Sequence, residues 1–211
     1  AAVPALRVLK NLCAHGQSLP AVTQNPAVLA SVTAAVQQAM QQGRGTSALV
    51  DAGVGVLSNL AVEASEVEKV AKGGGVLLVD MLPKRTTPTT AAAGAGVGTG
   101  AGEASVFAPS CVSQETLARA ITALAHIVAR PAALEALGAQ HCVCMTEAAL
   151  VLLDAARLEA GQTASTLQPL VPVPSHAVAK AAGALLQQVA TAHPPSKVVV
   201  ERYAAAVGEA V

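Results

Sequence analysis

Apolar positions recur along this chain in the 3.6-residue rhythm of a helix, and one phrase of that rhythm returns four times. The copies read ALRVLKNLCA (5–14), GVGVLSNLAV (53–62), LARAITALAH (117–126) and AAGALLQQVA (181–190). Aligned on Asn11, Asn59, Ala123 and Gln188, the positions two and three before, and one after, are apolar in every copy. In the first two they are Val8, Leu9 and Leu12, then Val56, Leu57 and Leu60. The next residue is always small: Cys13, Ala61, Ala125 or Ala190. Such spacing predicts four helices, each buried along a broad stripe.

The stretches between copies carry their own punctuation. After the first, Asn25 fits an N-cap with Pro26 at the first helical position, and Gly43 closes the helix. After the second, a short helix is expected over 66–72, a break at Gly73–Gly75, and a second helix over about 75–82. After the third, Pro131 opens a short helix, Gly138 ends it, and a longer helix runs to about Glu159. A last helix is expected over 195–210.

This order of long helix, short helix, glycine turn and second helix resembles the armadillo repeat family, with the two-helix HEAT grammar as runner-up. VLKNLCA and VLSNLAV are similar to the family phrase A-L-x-N-L-A near the end of its third helix, and KGGGVLLVDML to the start of a following unit. The resemblance implies an all-α, right-handed α-solenoid of about three to four armadillo-type repeats with two loop insertions. It also implies that Asn11 and Asn59 face a concave groove and bond the backbone of a partner, with Gln188 at the matching place in the last copy. Bonding between neighbouring helix ends is the alternative role for both asparagines. The tryptophans that such grooves use for basic peptides are missing, since the chain has no Trp, which disfavours cation–π capture of such a peptide.

The aligned positions lie 48, 64 and 65 residues apart, against about 40–47 for such units. The excess has visible homes. We divide the chain into repeats over 1–82, a Thr/Pro then Gly/Ala-rich insertion over 83–112, a repeat over 113–159, a Pro-rich loop over 160–174, and C-terminal helices over 175–211. Both insertions are expected to be mobile, the first disordered over most of its length. The terminal helices carry apolar residues and little polar capping, so the chain reads as a piece that continues in both directions or docks into a larger assembly.

Composition narrows the function. Apolar residues make up 53%, aromatics 1%, and alanine alone supplies 48 positions. A core of Ala, Leu and Val calls for closely approaching helices and argues against a sheet. Thirteen Lys and Arg balance thirteen Asp and Glu without a one-signed block, which leaves nothing to neutralise a phosphate backbone, so nucleic acid is not an expected partner. The uncharged stretch between Lys10 and Arg44 is broken by glutamines and two prolines, and falls short of the roughly 20 apolar residues of a membrane span. Four cysteines without a staple framework suit a reduced, cytoplasmic setting.

No catalytic constellation is present. GAGVGTGAG (94–102) has neither the preceding strand nor the following helix of a dinucleotide loop and reads as a linker, while DAGVGVLS (51–58) lies within a repeat helix. His141, Cys142 and Cys144 form the one compact ligand-like cluster, but zinc wants four convergent ligands, and residues two apart on a helix point to opposite sides. Buried small cysteines at a helix start are the better reading. His15, His126, His141, His176 and His193 fall at or near helix ends without paired carboxylates. No cofactor or metal is expected. Thr87–Pro88, beside Lys84 and Arg85, offers a candidate regulatory phosphorylation point. The expectation is a non-catalytic scaffold whose partners are other proteins: a fixed component of a large assembly, such as a microtubule-based cytoskeletal or ciliary axoneme structure. The alternatives are a reversible adaptor for an extended peptide and, behind it, a small enzyme or metal-binding protein.

Overall fold

The structure is a computed structural model that describes residues 2–15, 19–86, 106–108, 112–159 and 173–208. Helices dominate: α1 (Ala2–Ala14), α2 (Leu19–Thr23), α3 (Pro26–Gln41), α4 (Ala48–Val62), α5 (Val67–Asp80), α6 (Gln114–Val128), α7 (Pro131–Leu137), α8 (His141–Glu159), α9 (His176–Ala192) and α10 (Pro194–Gly208). The described residues are all-α apart from one short antiparallel ribbon, β1 (Lys84–Thr86) with β2 (Val106–Ala108), in the register Lys84↔Ala108 and Thr86↔Val106.

Local chemistry sets the helix starts. The Asn25 side chain accepts from the Ala27 amide at 3.0 Å, with Pro26 opening α3. Serines do the same for three of the long helices: Ser47 caps α4, Ser113 caps α6 and Ser175 caps α9, each accepting from the amide three residues on. Each cap satisfies an amide that has no partner within the helix. At the other end, Gly43 (φ 70°) and Gly138 (φ 97°) hold the left-handed conformation that turns the chain out of α3 and α7.

The four helices that carry the repeated phrase, α1, α4, α6 and α9, pack in chain order, α1 on α4, α4 on α6 and α6 on α9. The intervening helices back this row: α3 against α4 and α5, α5 against α6 and α7, and α8 against α9. One continuous apolar core threads the whole stack, with Val36, Leu57, Leu78, Ile121, Leu124, Met145 and Leu185 at 0–1% exposure.

Two expectations are corrected. Gly73–Gly75 do not break a helix, because α5 is continuous from Val67 to Asp80. Those glycines serve packing instead: a Cβ on Gly75 would stand 2.7 Å from Leu137 of α7, and one on Gly74 would stand 3.2 Å from Leu57 of α4. Between α4 and α6 the described residues therefore form one helix where the armadillo pattern expects two. Within the insertion over 83–112, β1 and β2 pair and β1 lies against α8. Finally, Cys144 is exposed while Cys142 is buried, so the cysteines at the start of α8 are not both core residues. The rest of the first insertion and most of the loop over 160–174 lie outside the described residues.

Candidate functional site

The serine caps supply a register that the apolar pattern alone could not. Counting seven, ten and fourteen residues from Ser47, Ser113 and Ser175 gives Val54, Leu57 and Ala61 in α4, Ala120, Ala123 and Ile127 in α6, and Ala182, Leu185 and Val189 in α9. All nine are buried. The same spacing fits Leu6, Leu9 and Cys13 of α1, of which Leu6 and Cys13 are buried and Leu9 packs against the core. In this register Asn11 and Asn59 remain equivalent, and the α6 and α9 equivalents become Ala125 and Gln187. The half-buried Gln188 sits one step round the helix.

That shared position lies on the solvent side of the row. Asn11 and Gln187 are exposed, Asn59 and Ala125 half-buried. Three residues earlier, Val8, Thr122 and Ala184 are also exposed, Val8 at 58%, whereas Val56 of α4 is fully buried. The face is thus a strip of small and uncharged side chains, and it dips at α4.

The two asparagines differ in what they do. The Asn59 amide Nδ2 donates to the Lys10 carbonyl oxygen at 2.9 Å, tying α4 to the last turn of α1. It fills the alternative role, a bond between neighbouring helices. Lys10 belongs to the same joint: its aliphatic stem fills the space beside Gly55, where a Cβ would stand 2.7 Å from Cδ, and its ammonium lies 3.9 Å from Asp51. Asp51 in turn accepts from Arg119 and, at 3.4 Å, from the Thr116 hydroxyl, both on α6, and Arg119 also pairs with Glu115. One half-exposed carboxylate on α4 therefore links α1 to α6. The first and third helices of the row are held to the second by a motif that hydropathy periodicity does not register, because Lys10, Asp51 and Arg119 are charged residues on three separate helices.

Ser196 stands 2.8 Å from His193 Nδ1, which on paper is a nucleophile beside a base. Ser196 is, however, only 2% exposed, and its Oγ also lies 2.9 Å from the Thr146 hydroxyl, itself 2.8 Å from the Cys142 carbonyl. Three hydrogen bonds need three protons, and the two hydroxyls supply two. The third must come from His193, so Nδ1 donates to Ser196 where a general base would have to accept. The chain of bonds locks the α9–α10 corner onto α8. Burial pushes the thiols of Cys13 and Cys142 above their ordinary range, away from reactivity. Among the described residues, no three His, Cys, Asp or Glu side chains converge as metal ligands, and Cys144 points away from Cys142. Thr87 and Cys111 lie outside the described residues.

Among the described residues no single helix is long and apolar enough to cross a membrane. The bent pair α6 and α7, turned by 115° at its break, meets the length and composition of a span. Its apolar residues, among them Leu117, Ile121, Leu124 and Ala133, are core residues here. Comparison with family models, with characterised proteins and with solved structures finds no match for the chain.

Proposed function

We propose that this chain is a non-catalytic protein–protein interaction scaffold, folded as a right-handed α-solenoid of armadillo type and built into a large assembly as a fixed component. The single observation that carries the reading is the row α1, α4, α6 and α9, in which equivalent positions are buried against the next helix and one strip is left to solvent. Units that bury their stripes only against neighbours present long surfaces rather than deep pockets. The strip of Val8, Asn11, Thr122, Ala184 and Gln187 is small, uncharged and free of aromatics. Reversible peptide sites usually rest on aromatic and Arg anchors, so the strip suits permanent close packing of a helical or extended partner.

The bond from Asn59 to Lys10 weighs against the adaptor alternative, because one of the two amide hydrogens that would grip a peptide backbone is committed within the chain. Assemblies of the microtubule-based or ciliary kind, in a cytoplasmic setting, are the ones in which the armadillo resemblance places such fixed scaffolds. The test joins shape to surface. Small-angle scattering should give an elongated particle, and Thr122→Arg combined with Gln187→Glu should abolish co-sedimentation with the chain's native complex without altering the helical circular dichroism. A spherical scattering profile, or a variant that still co-sediments, would reject the reading.

A further inference from the structure

The helices behind the row enclose a second feature. A cleft of about 850 Å³ opens between α2 and α3 on one side and α5 on the other, with Leu60 of α4 reaching into it. Its size falls within the range of about 300–1,000 Å³ that holds small molecules. The walls are apolar, and they are recessed: Val22, Leu60 and Val70 are 7%, 4% and 1% exposed. Among the described residues none of the strongly exposed large apolar side chains lines it. A protein-docking patch projects such side chains, whereas a recessed slot admits a slender chain.

Two buried polar groups in this lining make the cleft more than a packing gap. The Thr33 hydroxyl is shielded from solvent and has no hydrogen-bond partner, which is rare for a buried polar atom. Glu66 is 7% exposed, and its one bonded partner is the outward-lying Lys69 ammonium, at 3.0 and 3.2 Å. A carboxylate can accept about four hydrogen bonds, so Glu66 keeps acceptor capacity. The remaining cation of the lining, Lys72, is matched by Glu68 at 2.7 Å. Charges are therefore already paired, and an ionised ligand head would bring an uncompensated charge into a low-dielectric slot.

We propose that the cleft binds a neutral amphipathic small molecule, an apolar chain ending in a hydroxyl or amide, whose head donates to Glu66. The site is separate from the strip of the proposed scaffold and does not depend on that reading. The experiment is isothermal titration of the full chain with hexan-1-ol, octan-1-ol and decan-1-ol, beside octanoate and octylamine. Saturable one-to-one binding is expected, tightening about fourfold per added methylene as apolar surface leaves water. Both ionised heads should bind at least about tenfold more weakly, because their charge must be desolvated.

Ala30 and Ala34 are exposed positions of α3 on the cleft wall, so Ala34→Trp fills the slot without touching the core. It should abolish alcohol binding while leaving the melting temperature unchanged. Glu66→Gln, nearly isosteric, should weaken the alcohols and spare chain-length dependence. Absence of saturable binding would overturn the proposal, as would full binding by the Ala34→Trp variant. Equal affinity for octanoate would overturn the neutral head.

Discussion

Asp51 and Leu57, six residues apart on α4, hold the row together by different physics. Asp51 is 36% exposed at its side chain and bonded to three groups on two helices. Half-exposed ion pairs are each worth about 0.2–1 kcal/mol, because water screens them. Leu57 is fully buried, and truncating such a residue removes both transfer energy and packing. We expect Asp51→Asn to lower the unfolding free energy by up to about 1 kcal/mol, more at low salt than at high. Leu57→Ala should lower it by about 2–5 kcal/mol, with little salt dependence. Urea unfolding at two ionic strengths separates the two, and a salt-insensitive Asp51→Asn would show that the linkage between α1 and α6 is not electrostatic. Tyr203, the chain's one tyrosine, gives a second check at this scale. Burial, reinforced by its hydrogen bond to Asp154 of α8, pushes its hydroxyl from an ordinary 10.0 up to about 12. Between those values the folded chain keeps a proton that the unfolded chain has lost. The contribution to stability is therefore complete below about pH 10 and fades as pH rises through about 12. Ultraviolet titration should show one tyrosinate transition near the upper value in the folded chain, and Asp154→Asn should bring it down.

At the scale of the element, glycines decide the outcome, and their sign can be read from what surrounds them. Alanine is better than glycine in a helix by about 0.8–1.0 kcal/mol. Gly183 of α9 has nothing within 4 Å of where a Cβ would stand, so Gly183→Ala should stabilise by roughly that amount. Gly53 of α4 faces Val36 of α3, with the β-branched Cγ2 only 2.2 Å from the virtual Cβ. A clash with a side chain that has few alternative rotamers outweighs propensity, so Gly53→Ala should destabilise by about 1–3 kcal/mol. Thermal melts of both variants test the pair, and a stabilised Gly53→Ala would mean that α3 can slide off α4. The same physics explains which elements were legible in the sequence. Asn25–Pro26, Pro131 and Gly138 mark the ends of α3 and α7 as expected, because caps and positive φ are local demands. Gly73–Gly75 read as a break because a glycine run looks the same whether it turns the chain or lets another helix approach. Only the presence of Leu57 and Leu137 against α5 separates the two. The register of α6 and α9 slipped for a related reason: in an alanine-rich helix several alignments keep a small apolar residue at every core position. The serine caps and the burial of Ala123 and Leu185 fix it. Of the candidate strip, Asn11 and Asn59 were visible through a motif, whereas Lys10, Asp51 and Arg119 carry no pattern that precedes the fold.

For the molecule as a whole, the proposed serial scaffold predicts that stability is distributed along the row rather than shared by one centre. In such arrays each unit contributes its own stability and an interface term with its neighbours, so elements flanked on one side open first. The contrast between α1 and α4 is steep. In α1 only Leu6 and Cys13 are buried, and Val8 and Leu12 face solvent at 58% and 38%. In α4 the residues from Ala52 to Ser58 are all buried, with α1, α3, α5 and α6 packed around them. Hydrogen exchange should therefore report two populations within one repeated motif. Amides of α1 should exchange by local opening, at free energies well below global unfolding, whereas those of α4 and α6 should exchange only when the whole stack opens. Asn59→Ala makes the coupling measurable, because it removes the bond to the Lys10 carbonyl that ties the last turn of α1 to α4. That variant should speed exchange across α1 by about five- to tenfold, the equivalent of one lost hydrogen bond of about 1 kcal/mol, and leave α6 and α9 unchanged. Were α1, α4 and α9 to exchange together in both proteins, the chain would be a single cooperative globule, and the serial scaffold argued from its packing would fall with it.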